Sequence, residues 1–491
     1  MKRIVIYILV VSGLVGCTKF DDIAKDGSIT DPTPAELKAI APYKELLDII
    51  DDNGWWFWAQ EVSSDEVVFP TRLTDWDDGG KWRVLHTHTW TNDVDAVNSM
   101  WSQIYDIVNE CNRNIEDLEF SGNTSEETLN IIGELKILRA FAYYLLIDNY
   151  GDVPLITSFS NAPKEPTKAT RSEIFDFIIT DIKENINGLP VVGPKSFATK
   201  GMAFTLLAKL YLNAQVYTGI ADYVSAEAYC DSVINLGIYT VDANSVLTPF
   251  LADNSQSPDH IFNISFDQDK RQGFRLHMRT LHYLHDATFG MAVGPWNGFA
   301  AVEDHYNSYS SGDKRKTDWF ITGLQKDLDG NILFDETAGA NLVITPEIPA
   351  LVMGSSYSLS QIRMSGARVQ KYEIERGAQE NLNNDFPLFR YADVLLMKAE
   401  CAVRNGAPGA GDSWVQEIRD RANAGPTVGF GLDEILAERG RELFCEGHRR
   451  QDLIRFGKFG AAWWEKAASG PDRTTFPIPQ WAIDANANLG L

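Results

Sequence analysis

The feature that most constrains this chain is the recurrence of apolar residues at helical spacing over much of its length. In eight segments the apolar side chains recur every three or four positions, as on the buried face of an amphipathic helix. The segment that reaches Tyr150 is followed by Gly151, a normal helix stop. The predicted helices span residues 94–118, 125–150, 171–186, 200–217, 224–236, 391–404, 413–423 and 433–444. The pattern predicts a mostly α fold.

Two pairs of these helices have the shape of a tetratricopeptide unit, in which small residues let two helices cross closely. The pair over 200–236 carries Ala208 on its first helix and Ala226 on its second. The pair over 391–423 offers Ala399 as a small contact. Generic helical packing explains either pair alone about as well, but two units of similar length favour a stacked repeat. We therefore predict a tetratricopeptide-like helical scaffold.

Residues 240–387 lack this pattern, and Gly, Ser, Asp and Asn separate their short apolar runs. A stretch of this kind is normally a functional surface or a small satellite domain. We predict an irregular, loop-rich insert with short strands. The predicted divisions are a signal peptide over 1–16, a tether over 17–34, scaffold over 35–239, the ligand-binding insert over 240–387 and C-terminal scaffold over 388–491.

The length, composition and net charge of the chain exclude some classes of protein. The chain has 491 residues, of which 44 are basic and 68 acidic, and its formal net charge is −24. An apolar share of 44% is enough to build a core, which excludes an intrinsically disordered protein. Binding to nucleic acid needs a face rich in Lys and Arg, so the acidic balance argues against such a partner.

The first 16 residues predict a lipoprotein signal peptide. Lys2 and Arg3 precede an apolar run that is too short to span a membrane. The run ends in Leu14-Val15-Gly16-Cys17, which resembles a bacterial lipobox. An ordinary secretory leader with a chance cysteine is the alternative, but small residues directly before a single Cys favour lipidation. We expect a lipid anchor at Cys17, followed by an acidic, flexible tether.

The other four cysteines lie within helical patterns, at positions where Ala would also fit. An exported chain permits disulfides, but sequence alone cannot give their pairing. We interpret these residues as small buried hydrophobes. They are Cys111, Cys230, Cys401 and Cys445.

Tryptophan is concentrated between residues 55 and 101. The run Trp55-Trp56-Phe57-Trp58 comes first, and at least one of its indoles is expected in the core, because exposing all of them would promote aggregation. The segment 75–82 then places Trp76 and Trp82 among carboxylates, a lysine and two glycines. Paired glycines weaken regular structure and buried Asp is costly. This segment therefore predicts a loop that lifts indoles into solvent.

Such a surface suits carbohydrate. Axial C–H groups give a sugar ring an apolar face that stacks on an indole, while its equatorial hydroxyls need polar partners. Trp and Tyr supply a large rigid contact area at small entropic cost. The insert carries a second aromatic group, in which Trp296 lies between Gly and Pro residues and Trp319 follows a charged run. Both are therefore expected on loops.

Possible metal ligands form no complete site. If residues 81–90 are extended, Trp82, His86 and His88 share one face, because side chains alternate along a strand. A metal bound by the two histidines would lack a third ligand, so neutral, hydrogen-bonding histidines are expected. The run 327–331 resembles part of a calcium loop but lacks the closing Glu, and a hairpin turn explains it more simply. No metal site and no cofactor are predicted.

Four motifs resemble the SusD/RagB family of lipoproteins. The first is Leu138-Arg139-Ala140-Phe141-Ala142-Tyr143-Tyr144 running into Tyr150-Gly151-Asp152-Val153-Pro154-Leu155. The second is Pro387-Leu388-Phe389-Arg390-Tyr391-Ala392-Asp393. The third joins Glu438-Arg439-Gly440-Arg441-Glu442-Leu443-Phe444 to Glu446-Gly447-His448-Arg449-Arg450-Gln451-Asp452, and the fourth is Phe476-Pro477-Ile478-Pro479. With the lipobox, the resemblance spans nearly the whole chain in the family's order. The tail over 486–491 departs from the longer tail of many relatives.

The resemblance implies a surface-exposed, outer-membrane lipoprotein that binds glycan and sits as a lid on a SusC-like TonB-dependent transporter. It also implies a ligand platform of one aromatic residue in the early loop and two in the insert. Carried over residue by residue, these are Trp82, Trp296 and Trp319, with Trp76 in reserve. Burial as loop anchors is the alternative for each of them. The polar candidates nearby are Arg72, Asp75, Asp77, Lys81, Arg83 and Asn297.

The charged third motif is interpreted as structural. Glu442 and Glu446 lie one turn apart and could form a catalytic pair, but neighbouring arginines would depress their pKa values, which suits a general acid poorly. A network of ion pairs is favoured, and no enzyme activity is expected. The alternatives are an all-α glycoside hydrolase or lyase, and a helical-repeat adaptor for another protein. Widely separated Trp residues favour a flat β-glucan or hemicellulose as the ligand.

Overall fold

The computed structural model describes residues 33–50 and 54–490. The predicted lipidation site, Cys17, lies outside the described residues. Within the described ranges there are nineteen α-helices, and most of them lie before residue 240 or after residue 390. No helix in these ranges combines the length and the apolar character needed to cross a membrane.

The helices fall into three groups along the chain. The first group comprises α1 (Pro34–Glu45), α2 (Trp55–Val62), α3 (Lys81–His86), α4 (Asp95–Phe120), α5 (Glu126–Tyr150), α6 (Arg171–Asn185), α7 (Lys200–Leu212), α8 (Ala214–Thr218) and α9 (Tyr223–Ile234). The second comprises α10 (Leu276–Thr280), α11 (His285–Phe289), α12 (Glu303–Asn307), α13 (Lys314–Asp318) and α14 (Leu359–Met364). The third comprises α15 (Tyr391–Asn405), α16 (Asp412–Ala422), α17 (Leu432–Glu442), α18 (Arg449–Arg455) and α19 (Gln480–Ala485).

The strands are short and are concentrated in the insert. They are β1 (Val67–Val68), β2 (Thr71–Arg72), β3 (Val153–Pro154), β4 (Lys168–Ala169), β5 (His260–Ile264), β6 (Ala300–Ala301), β7 (Phe320–Ile321), β8 (Gly323–Leu324), β9 (Phe334–Asp335), β10 (Ala340–Asn341), β11 (Val343–Ile344), β12 (Val352–Met353), β13 (Arg368–Val369) and β14 (Phe386–Arg390). They pair two by two as β1–β6, β2–β12, β3–β4, β5–β14, β7–β13, β8–β11 and β9–β10. Only the β2–β12 pair is parallel among the described strands.

Local signals in the sequence set the helix ends. At the start of α6, the Thr170 side chain accepts a hydrogen bond from the Glu173 amide, and the Glu173 carboxylate accepts one from the Thr170 amide. Ser125 caps α5 by accepting a hydrogen bond from the backbone amide of Thr128. Gly151 ends α5 at a φ of 76°, a conformation that favours glycine. The helix predicted over 200–217 is divided into α7 and α8 at Asn213, which leaves helical geometry.

The scaffold is a stack of paired helices. Helix α7 packs against α9, α9 packs against α15, and α15 packs against α16. Ala208, Ala226 and Ala399 are all buried, as close helix crossings require. The mostly α, tetratricopeptide-like scaffold is therefore confirmed, and so are the other predicted helices to within a few residues at each end.

The third motif forms a buried network of ion pairs. Arg315 contacts Glu438 at 2.8 Å and Glu442 at 3.1 Å, and Arg390 contacts Glu446 at 2.6 Å. Burial alone would raise the pKa of Glu438, but the guanidinium groups of Arg315, Arg441 and Arg419 lower that pKa to about 2. A carboxyl held ionised in this way is a poor proton donor, and the structural interpretation of the motif is confirmed.

The four cysteines are free thiols and are all buried. Burial raises the pKa of Cys111 and of Cys230, which keeps both thiols protonated. Their interpretation as small buried hydrophobes is confirmed.

Strand pairing brings the early loop and the insert together. The β1–β6 pair joins Val67 to Ala301, and the β2–β12 pair joins Thr71 to Val352. The loop over 73–80 leaves directly from β2, and Trp296 lies shortly before β6. The early aromatic loop and the segment around Trp296 therefore meet on one part of the structure.

Candidate functional site

The loop over 73–80 has an unusual backbone. Leu73, Trp76 and Asp78 have φ values of 62°, 57° and 42°, in the left-handed region that side chains disfavour, and Gly79 and Gly80 follow in the same region. A tight turn closes the base of the loop, because the amide of Arg72 donates to the carbonyl of Asp75 at 2.9 Å and the reverse bond is 3.0 Å long. Strain of this kind persists only where the surroundings enforce it, and it concentrates at functional sites.

Trp76 is fixed against the insert. Its indole Nε1 donates a hydrogen bond to the backbone carbonyl of Trp296 at 2.9 Å, and both indoles are partly buried. The Trp76 ring occupies the space beside Gly298, where a Cβ atom would lie 2.6 Å from ring atom Cε2. Only glycine therefore allows the indole to pack at this position.

A buried arginine lies beneath these rings. The Arg279 guanidinium is 5.8 Å from the ring centroids of both Trp76 and Trp296, and 5.2 Å from that of Trp58. The quadrupole of each indole attracts the cation. Arg279 thus connects the outer indoles to the aromatic core.

Tyr283 extends the aromatic surface. Its hydroxyl donates a hydrogen bond to the Asp75 carboxylate, and the Arg363 guanidinium lies 4.6 Å from its ring centroid. Burial and the bond to Asp75 raise the pKa of Tyr283 to about 12, so the hydroxyl stays protonated. Arg363 is held in turn by Asp335, at 2.6 Å. We call Trp76, Trp296 and Tyr283, all partly buried, the aromatic patch.

Trp82 does not join this patch at the surface. Residues 81–86 form helix α3, and the helical period turns Trp82, Leu85 and His86 towards the core. The Trp82 ring is 2% exposed and stacks on Phe69 at 4.1 Å. The expectation that its ring is open to solvent is wrong, because the segment is helical and the indole fills the core.

Trp319 is also buried, away from the patch. It is fully buried at the end of α13, and its Nε1 donates to the carbonyl of Val246 at 3.3 Å. The ammonium group of Lys371 lies 4.1 Å from its ring centroid. The expectation of an exposed indole is wrong here as well, because Trp319 packs as a core anchor with its N–H satisfied.

The polar candidates divide into surface and buried groups. Asp75 is exposed, while Asp77, Lys81 and Arg83 are partly buried, with 2.5 Å between Asp77 and Arg83. Lys81 lies 5.1 Å from the ring centroid of Trp82. Asp75 contacts Tyr283 of the patch, Asp77 directly follows Trp76, and Lys81 and Arg83 belong to α3.

Arg72 and Asn297 have structural partners instead. Arg72 is buried and donates to the backbone of Ile362 and Ser365. Asn297 is fully buried, donates to the carbonyl of Arg363 at 3.0 Å and accepts from Arg368 at 2.7 Å. The expectation that they contact ligand conflicts with this burial, since their polar atoms hold the loops in place.

The two histidines of the early segment are hydrogen-bonded. His86 contacts the carbonyl of Trp464 at 2.9 Å, and His88 contacts that of Ser63 at 2.8 Å. Burial lowers the pKa of His86 to about 4 and that of His88 to about 3, so both are neutral. The prediction of neutral, hydrogen-bonding histidines is confirmed.

Sequence analysis missed Tyr283, Arg363 and Arg279. Tyr283 and Arg279 belong to a segment with arginines, histidines and an aromatic residue but no long helical period, and this composition could have marked it. Arg363 lies in a short amphipathic helix, and its sequence contains no comparable signal.

Comparisons with known proteins agree with this architecture. The model of the SusD family matches residues 353–490, and a model described as "Starch-binding associating with outer membrane" matches residues 59–212. The chain is 27% identical to the starch-binding protein SusD of Bacteroides thetaiotaomicron, over 90% of this chain and 86% of that protein. It is 25% identical to SusD-like protein P38 of Formosa agariphila, over 73% and 72% of the two chains.

Solved structures share the fold. Surface glycan-binding protein A from Bacteroides uniformis has a TM-score of 0.73 and 18% identity, covering 92% of this chain and 98% of its own. Surface glycan-binding protein A from B. thetaiotaomicron, solved in complex with laminarihexaose, has a TM-score of 0.72 and 20% identity, with 93% and 98% covered. The names of these relatives refer to binding or to SusD, and none of them refers to an enzyme. These matches confirm the resemblance of the chain to the SusD/RagB family.

Proposed function

We propose that this protein binds a glycan at the cell surface, on the aromatic patch of Trp76, Trp296 and Tyr283. The observation that supports this most directly is the bond between the Trp76 indole and the Trp296 backbone, because it fixes two partly exposed indoles through a contact within the chain itself. A preorganised aromatic surface binds with little loss of side-chain entropy.

The groups around the patch suit a neutral sugar. Sugar rings present apolar C–H faces to the three aromatic rings, and Asp75, Asp77 and Arg83 at the rim offer hydrogen bonds to hydroxyls. The rim carries both signs of charge, which gives no strong preference for an ionised ligand. Affinity at one such site is modest, and repeated contact along a polymer increases it.

A glucan is the class of ligand that we propose. One relative is named as starch-binding and one structural neighbour holds laminarihexaose. Within this class we place a β-glucan, such as the laminarihexaose of that neighbour, ahead of starch. We also propose that Cys17 is lipidated, that the protein is anchored in the outer membrane, and that it passes glycan to a SusC-like TonB-dependent transporter.

Affinity electrophoresis tests the binding. Purified protein is run in gels that contain laminarin, xyloglucan, starch or mannan, beside a gel without glycan. We expect laminarin to retard the wild type, and Trp76→Ala/Trp296→Ala to lose most of that retardation. Trp481→Ala is the matched control, because Trp481 is 48% exposed and lies outside the patch.

The possible outcomes test the ligand, the site and glycan binding separately. Retardation by starch alone rejects the β-glucan assignment and keeps glycan binding. If the double variant is retarded as strongly as the wild type, the aromatic patch is not the site. The absence of retardation in all four gels rejects glycan binding itself.

A further inference from the structure

A second surface with exposed aromatic rings lies at the far end of α4. Here the end of α4, the facing side of α5 and the loop over 157–161 enclose an open groove of about 810 Å³. Phe120, the last residue of α4, lines the groove and is 95% exposed. Phe159 lies in the loop between two lining residues and is 52% exposed. The exposed ring of Phe120 inside the groove offers a flat apolar face on which a ligand can pack.

The loop that carries Phe159 is built to a fixed shape. The Glu116 carboxylate accepts hydrogen bonds from the Ser158 hydroxyl at 2.5 Å, from the Phe159 amide at 2.7 Å and from the Ser160 amide at 3.0 Å. Asn112 donates to the carbonyl of Ile156 at 2.9 Å. These bonds hold the Phe159 ring away from the core, so its exposure follows from an ordered loop.

The lining of the groove indicates the chemistry of its ligand. Glu119 and Lys136 contribute opposite charges, while Thr157, Ser160 and Asn161 contribute hydroxyl and amide groups. The lining also includes Glu116, Asp117 and Arg139, so carboxylates and cations are mixed along the groove and give no strong preference for an ionised ligand. A neutral ligand with many hydroxyls and an apolar C–H face matches both the polar lining and the phenyl rings.

The groove is well separated from the aromatic patch. Near the patch, the Gln103 side chain of α4 accepts a bond from the amide of Trp55. The Trp55 ring is 5.2 Å from that of Trp82, which is in turn 6.3 Å from the ring of Trp76 in the patch. Phe120 lies 17 residues beyond Gln103 in the same helix. At a rise of about 1.5 Å per residue, this places it roughly 25 Å further along the helix axis. A short oligosaccharide bound at one surface leaves the other free.

We propose that the Phe120 groove is a second carbohydrate-binding site, which contacts a separate stretch of the polysaccharide held by the aromatic patch. This inference rests on the proposed glycan binding. Once a polysaccharide chain is bound at the aromatic patch, its contact with the groove is an intramolecular step. The groove therefore increases the apparent affinity for polymer. It extends the binding function from one patch to a bivalent surface.

The test compares variants in the gel that retards the wild type most. Phe120→Ala/Phe159→Ala is expected to weaken the apparent affinity for polymer by roughly three- to tenfold. Trp76→Ala/Trp296→Ala is expected to keep a weak retardation, which the four-fold variant loses. Val428→Ala, at an 80% exposed apolar position elsewhere, is the control, and unchanged melting temperatures show that the variants are folded.

The outcomes separate this inference from the proposed function. If Phe120→Ala/Phe159→Ala is retarded as strongly as the wild type, the groove takes no carbohydrate and the inference is overturned while the patch stands. If retardation depends on the phenylalanines and not on Trp76 and Trp296, the patch is wrong and the groove is the site. If no glycan retards the wild type, both are overturned.

Discussion

The indole of Trp76 donates a hydrogen bond to the backbone carbonyl of Trp296, 2.9 Å away and 220 positions further along the chain. One residue belongs to the early loop and the other to the insert, so this bond joins the two segments that the sequence singled out for their aromatic residues. The aromatic patch exists only when both segments are folded against each other.

Gly298→Ala is expected to disrupt the patch without removing any aromatic ring. The new Cβ would lie 2.6 Å from both the Trp76 indole and the carbonyl of Arg279, so the indole has to move. We expect a loss of about 1–3 kcal/mol in the free energy of unfolding and weaker retardation in the glycan gel. Gly294→Ala is the control, because its Cβ would meet only an ordinary contact at 3.7 Å. Equal retardation of both variants and the wild type would contradict the assigned position of Trp76.

Trp319→Ala is expected to lower stability strongly. The side chain is fully buried, and its removal leaves a large cavity and exposes Lys371 to an empty space. The cost is about 3–5 kcal/mol, measured by urea unfolding. Trp319→Phe keeps part of the packing and is expected to retain the wild-type retardation in glycan gels. A Phe variant that is stable but no longer retarded would show that Trp319 contacts ligand after all.

Arg390→Met is expected to destabilise the fold by about 3–5 kcal/mol, because it leaves buried carboxylates without their partner. Arg390 contacts Glu446 and Asp259 at 2.6 Å and Glu442 at 3.1 Å. Chemical unfolding measures the loss. Lys458→Met removes an exposed pair at 3.4 Å and is expected to change the free energy of unfolding by less than about 0.5 kcal/mol. Similar effects of the two variants would argue against a structural role for the buried network.

Glu61→Gln is expected to change the pH dependence of stability. Burial raises the pKa of Glu61 to about 8, whereas the unfolded carboxyl titrates near 4.3. The folded state therefore retains a proton that the unfolded state loses. The contribution of Glu61 to stability is complete below the unfolded pKa and is lost as the pH rises towards 8.

The variant removes this titration. Relative to the wild type, Glu61→Gln should gain about 3–4 kcal/mol in unfolding free energy between pH 5 and pH 8. Unfolding curves at both pH values measure this difference. If the Gln side chain itself destabilises the fold equally at both pH values, that effect cancels in the difference. Glu336→Gln, at an exposed position, is expected to show no such gain. Parallel pH curves for Glu61→Gln and the wild type would mean that Glu61 is ionised in the fold.

The scaffold was predictable because helical periodicity and capping are local properties. A short stretch of sequence is enough to recognise the helix stop after Tyr150 and the small residues Ala208 and Ala226. These features agree with the end of α5 and with the packing of α7 against α9. The third motif was predictable for a similar reason, since closely spaced charges of opposite sign indicate ion pairs in a folded chain.

The exposure of individual indoles was not predictable in the same way. Trp76 and Trp82 are six positions apart in one segment, yet the first lies at the surface and the second in the core. Their difference depends on the left-handed φ of Trp76 and on the short helix α3, which turns Trp82 inward. Tyr283 and Arg363 join the patch only through contacts with distant residues, Asp75 and Asp335.

The strained loop over 73–80 has a thermodynamic consequence for ligand capture. Its turn, the support from Arg279 and the packing against Gly298 are all made by contacts within the chain itself. Few groups become ordered when a sugar arrives, and little new apolar area leaves water. Titration calorimetry should therefore record a favourable enthalpy with a small negative change in heat capacity, in contrast to a segment that folds as it binds.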